Sequence, residues 1–111
     1  MTRKKYNVII AERADKMLLA HTQFLAKVSI PATRKLVADF KTIMNNLKKN
    51  PLQYVYADDF DVPKIPLRTY RKCIFYGRYK VLFLIEGNTV YIDAIIDCRQ
   101  ENSNLFTSKN R

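Results

Sequence analysis

The chain has 111 residues, 48% hydrophobic and 27% charged, with only two glycines and four prolines. That is the composition of one globular domain with one modest core, and it excludes a disordered, loop-rich or all-turn chain. Twenty Lys and Arg against ten Asp and Glu leave a formal charge of +10, which points to a polyanionic or acidic partner.

The opening, MTRKKYNVII, is basic, but its apolar patch is too short for a secretory signal. No later apolar run approaches the ~18 residues of a membrane span, so a cytoplasmic protein without a membrane partner is expected. Tyr6–Ile10 is short, apolar and β-branched, and predicts a first strand. From Arg13 the period changes. Ala14, Met17, Leu18, His21, Phe24, Leu25 and Val28 fall on one helical stripe. Ser29-Ile30-Pro31 then restarts the chain, with Ser29 as N-cap and Pro31 in the first turn. Leu36, Val37, Phe40, Ile43, Met44 and Leu47 form the stripe of a second helix, which Asn50-Pro51 ends. The connection is so short that the two helices should form an antiparallel hairpin. His21, at the edge of its stripe, is expected to be a half-buried helix residue bonded to a neighbour.

Residues 51–66 are rich in Pro, Asp and aromatics and read as an ordered loop; Asp58 and Asp59 fit a solvated loop better than a metal site. Three strands follow, about Arg68–Tyr76, Tyr79–Glu86 and Thr89–Cys98. Gly87-Asn88 is a two-residue hairpin turn and Gly77-Arg78 a second. The fold class is therefore α+β: β-α-α-β-β-β, with an N-terminal helix hairpin on one face of a mainly antiparallel sheet. A single domain over 1–111 is expected, with residues 99–111 as a polar tail. Cys73 and Cys98 are too few for a disulfide framework, and with one histidine they make no zinc set. Neither a metal nor a cofactor is expected.

Hairpin register assigns the faces. A turn at Gly87-Asn88 pairs Ile85 with Val90, Phe83 with Ile92 and Val81 with Ala94. These six, with Tyr79 and Ile96, should face the helices. Val81, Phe83, Ile92 and Ile96 should pack on Leu18, Leu25, Val37, Phe40 and Met44. The opposite face would then carry Lys80, Leu82, Leu84, Tyr91, Asp93, Ile95, Asp97 and Arg99. A two-residue turn at Gly77-Arg78 adds Arg71, Cys73 and Phe75 to that face; a three-residue turn adds Lys72 and Ile74 instead. Between Val62 and Ile85 stand six basic residues and no acidic one: Lys64, Arg68, Arg71, Lys72, Arg78 and Lys80. Cations interleaved with aromatics suit a nucleic-acid or acidic-partner surface.

This order of elements resembles the RelE/ParE superfamily of toxins from type II toxin–antitoxin systems. So do YNVIIAERADKML, IPATRKLVADF, LKKNPLQYVY and YRKCIFYGRYKVLFLIEGNTVYIDAIIDCRQ. The resemblance covers residues 6–100 and implies a growth inhibitor neutralised by a cognate antitoxin. It leaves the target open between the ribosome with mRNA, for a ribosome-dependent endoribonuclease, and DNA gyrase, for a non-catalytic inhibitor. A degenerate member that only binds its antitoxin is a third possibility. For the nuclease, the resemblance implies a catalytic set of Lys80, Arg99 and Arg71, with Lys80 as base and the arginines on the phosphate. Lys72, Arg78, Arg68, Lys64 and Phe106 are the further nucleic-acid or partner contacts. Where the nuclease branch has a C-terminal tyrosine, this chain has Leu105 or Phe106, neither with a hydroxyl. The ParE-style His-Gly-Arg-Arg ending is here Asp-Cys-Arg-Gln.

Overall fold

The computed structural model describes residues 5–57 and 69–99. Its elements are β1 (Asn7–Ile10), α1 (Glu12–Ala26), α2 (Ile30–Lys49), a 3-10 turn at Pro51–Gln53, β2 (Arg71–Phe75), β3 (Tyr79–Glu86) and β4 (Thr89–Asp97). The expected order and class hold. Asp58, Asp59, Asp61, Lys64, Arg68, Phe106 and residues 100–111 lie outside the described residues.

The second helix begins and ends where local chemistry predicts. The Ser29 Oγ accepts the Ala32 N–H at 3.1 Å, and Pro31 needs no donor partner in the first turn. At the other end Asn50 leaves helical geometry and Pro51 opens the 3-10 turn. Leu36, Phe40 and Leu47 of α2 and Leu25 of α1 are buried against the sheet, with Leu18, Ile43 and Met44 packed beside them. Each fully buried Leu or Phe contributes about 1.5–3 kcal/mol of transfer free energy. Three of the expected stripe residues, Phe24, Val28 and Val37, are exposed. The apolar arc of each helix is wider than the surface the sheet offers it.

The sheet runs β1-β4-β3-β2, with β1 parallel to β4 and the other pairs antiparallel. A parallel neighbour needs a long crossover, and the helix hairpin supplies it. Two turns set the register of the meander. Gly87 (φ +61°) and Asn88 form the two-residue turn that pairs Glu86 with Thr89, as expected. The other turn is a residue longer. Tyr76 (φ +56°) and Gly77 (φ +62°) both take left-handed backbone, the Arg78 N–H donates to the Phe75 carbonyl, and Phe75 pairs with Tyr79. A left-handed tyrosine carries strain of order 1–2 kcal/mol; its ring stacks on Tyr79, centroids 6.1 Å apart. Cys73 and Phe75 therefore enter the helix-side core, and Lys72 and Ile74 take the opposite face.

β4 departs from simple alternation. Phe83 pairs with Ile92 but Leu82 with Ala94, so Asp93 is an extra residue and the strand bulges. Beyond the bulge each side chain changes face. Ile95 and Asp97 turn to the helix side and are buried, whereas Ala94 and Ile96 join Leu82 on the other. This corrects the expectations that Ile96 packs under the helices and that Ile95 and Asp97 lie on the outer face. Leu82, on the face opposite the helices as expected, is buried as well.

α1 accounts for the bulge. β1 pairs with β4 only as far as Ile92, and α1 then runs along the uncovered edge. The Ala11 N–H donates to the Ile92 carbonyl at 2.9 Å, Arg13 Nε to the Asp93 carbonyl at 3.2 Å and His21 Nε2 to the Ile95 carbonyl at 2.8 Å. Side chains of a helix thus take the place of a neighbouring strand and close an edge that would otherwise template pairing. A carbonyl only accepts, so the hydrogen on Nε2 defines the His21 tautomer.

Candidate functional site

The predicted cations do not form one open cluster. They occupy three settings, and the long turn and the bulge decide which.

Arg71 lies on the helix-side parity of β2, away from Lys80. Its Nη1 donates to the Tyr54 carbonyl at 2.6 Å and its Nη2 to the Tyr56 hydroxyl at 3.1 Å, with the guanidinium 4.1 Å from the Tyr56 ring centroid. This arginine fastens the segment after α2 to the sheet, where Lys72 N–H also donates to the Val55 carbonyl. Arg71 and Tyr56 line an open groove of about 230 Å³ with Leu52, Thr69, Leu84 and Ile85.

Lys80 and Lys72 do share the face opposite the helices. Lys80 stands between Ile74 on β2 and Ile96 on β4 and is only 3% exposed. It is not at the surface, contrary to the expectation from alternation. Lys72 is half-buried.

The third setting, at the end of β3 and β4, was not foreseen as a unit. Arg78 holds Asp97 through Nε, 3.1 Å from Oδ2, and through Nη2, 2.8 Å from the same oxygen; the side chains are 15% and 3% exposed. Asp97 Oδ1 also accepts the Arg99 N–H at 3.0 Å. Burial would push the Asp97 carboxyl up, but the Arg78 hydrogen bonds, the Arg99 amide and the Arg78 charge outweigh it, so its pKa lies below the ordinary value. Arg78 is consequently an internal partner and not the open contact expected of it. Arg99 itself is exposed and is placed by its own backbone bond to Asp97. Tyr79 lies beneath, fully buried, its ring 4.8 Å from His21 and 5.6 Å from Phe75. Its hydroxyl has no hydrogen-bond partner among the described residues, and burial raises its pKa. The signal for this cluster in the sequence was the pairing of Tyr79 with Asp97, visible only once the bulge is counted.

Among the described residues there is no group of three or more His, Cys, Asp or Glu side chains placed to hold a metal. Cys73 and Cys98 are not joined in a disulfide; burial pushes the Cys73 thiol up, against nucleophilic use. No helix among the described residues is long and apolar enough to cross a membrane.

No family model matches the chain, and no curated protein matches it. Among solved structures it is similar to a chain of one described as the chromosomal ParDE TA system from P. aeruginosa. The TM-score is 0.64 at 14% identity, over 85% of this chain and 97% of that one. At that identity the likeness is one of fold: this protein has a RelE/ParE-like α+β fold.

Proposed function

We propose that this chain is the toxin of a type II toxin–antitoxin pair, a growth inhibitor held inactive by a cognate antitoxin. The observation that carries the reading is the fold, a helix hairpin on a β1-β4-β3-β2 sheet that superposes on nearly the whole of a chain from a ParDE system. Inducing the protein alone should arrest growth, and co-producing its antitoxin should restore it. Normal growth with abundant soluble protein would overturn the reading.

Within that class we favour inhibition by binding, as ParE-like members act on DNA gyrase, over cleavage of mRNA on the ribosome. Three features support this choice. Lys80, the base that the resemblance implies for the nuclease, is buried. Arg71 is bonded to Tyr54 and Tyr56 instead of standing beside Lys80. Leu105 and Phe106 offer no hydroxyl. Phosphoryl chemistry needs preorganised charge around one phosphate. Lys80, Arg71 and Arg99 would have to be regrouped to supply it. Following DNA supercoiling and amino-acid incorporation after induction separates the two: supercoiling should change first. Immediate loss of incorporation with cut mRNA would establish the nuclease.

A further inference from the structure

The net charge of +10 leaves a question once Arg71 and Arg78 are bonded internally and Lys80 is buried. Among the described residues, much of the exposed positive charge stands on α2. That helix carries five basic residues and a single acid, Asp39, which pairs with Lys35 at 3.6 Å. α1 carries equal numbers of acids and Lys/Arg, with Lys16 paired to Glu12 at 3.3 Å. One helix of the hairpin is therefore electrically mixed and the other cationic.

The arrangement on α2 is regular. Arg34, Lys41 and Lys48 are all exposed and lie seven residues apart. Seven residues are nearly two turns, so the three stand on one stripe about 10.5 Å apart, roughly 21 Å from end to end. Ala38 and Asn45, also exposed, separate them. Lys5, also exposed, lies near the end of α2, where the Tyr6 N–H donates to the Lys48 carbonyl at 2.9 Å. Helix stability explains only part of this. Lys48 and Lys49 complement the negative end of the helix dipole. Arg34, in the second turn, and Lys41, at mid-helix, gain nothing from it.

We propose that the outer face of α2 is a docking surface for the phosphate backbone of duplex DNA, met by Arg34, Lys41 and Lys48. No aromatic side chain stands within the stripe to stack on an unpaired base, and the apolar side chains on or beside it, Ile30, Val37 and Ala38, are aliphatic. It offers regularly spaced charge along a single helix of 20 residues. Its complement is a straight, rigid polyanion with the bases stacked away, and a DNA duplex presents one charge per about 1.7 Å of its axis.

The test uses the full chain and a labelled DNA duplex of arbitrary sequence, with anisotropy followed across a salt series. Binding should weaken linearly in the logarithm of salt concentration. In the triple variant Arg34→Gln, Lys41→Gln, Lys48→Gln that slope should become shallower by about three, near one unit per lost contact. Lys16→Gln, on the mixed helix, should leave it unchanged. All four side chains are exposed, and matching thermal unfolding of the variants verifies the fold. An unchanged slope in the triple variant, no salt-dependent duplex binding by the parent chain, or tighter binding to single-stranded RNA than to the duplex would each overturn the proposal. The readout is DNA binding by the isolated chain, so its failure leaves the toxin reading untouched, and the reverse also holds.

Discussion

Arg78 and Asp97 form an ion pair at the closed end of the sheet, with Nη2 2.8 Å from Oδ2 and the carboxylate 3% exposed. They meet because the bulge at Asp93 turns Asp97 toward the helix side, opposite Tyr79. The pair also holds the Arg99 amide, so it governs where the chain leaves β4.

A pH dependence follows. The folded-state pKa of Asp97 is depressed, so its contribution to stability is present above the ordinary aspartate value of about 3.9 and lost as pH falls through the lower folded value. Urea unfolding from pH 7 down to pH 3 should show the loss at the acid end, and Asp97→Asn should flatten that limb. Arg78→Ala, which strands a buried carboxylate, should cost about 3–5 kcal/mol at neutral pH. An Arg78→Ala protein as stable as the parent would contradict this role.

Tyr79 makes the opposite case. Its ring fills the core, but its buried hydroxyl lacks a partner among the described residues. Tyr79→Phe keeps the ring and removes the unsatisfied group, so denaturant melts should show equal or greater stability, by up to about 1–3 kcal/mol. A clear loss would mean that the hydroxyl is bonded in solution.

His21 closes the strand edge through the Ile95 carbonyl and packs on Tyr79. His21→Ala should lower stability by about 1–3 kcal/mol, since it strands that carbonyl and removes the ring contact. His21→Gln, which can still donate, should recover part of the loss. Amide exchange at the end of β4 should quicken in the alanine variant and much less in the glutamine variant.

Lys80 separates the modes of inhibition. If the protein acts by binding, Lys80→Met should stay folded beside Ile74 and Ile96 and still arrest growth in an induction assay. Arg99→Gln, at an exposed position, tests the same point without disturbing the core. Loss of arrest in both variants, with fold and antitoxin binding retained, would restore the catalytic assignment.

The element order, the Ser29 cap, the Asn50-Pro51 stop and the Gly87-Asn88 turn were legible because each is written in a few neighbouring residues. Periodicity likewise marked Leu25, Leu36, Phe40, Val81, Phe83 and Ile92 as core. What the sequence could not decide were two shifts of register. Tyr76 adopts left-handed backbone, unusual for its residue type, while stacked on Tyr79, and this moves Arg71 away from Lys80. Asp93 bulges where α1 meets β4, its carbonyl taken by Arg13 and its carboxylate by Tyr70 at 2.6 Å. A one-residue shift reverses every side chain beyond it. Alternation along a strand is a local property, whereas a bulge is fixed by packing between elements far apart in the chain. For that reason residue types alone located the cations but not their company, and only the tertiary structure divided them among an anchor for the segment after α2, an ion pair, a buried lysine and the open stripe on α2.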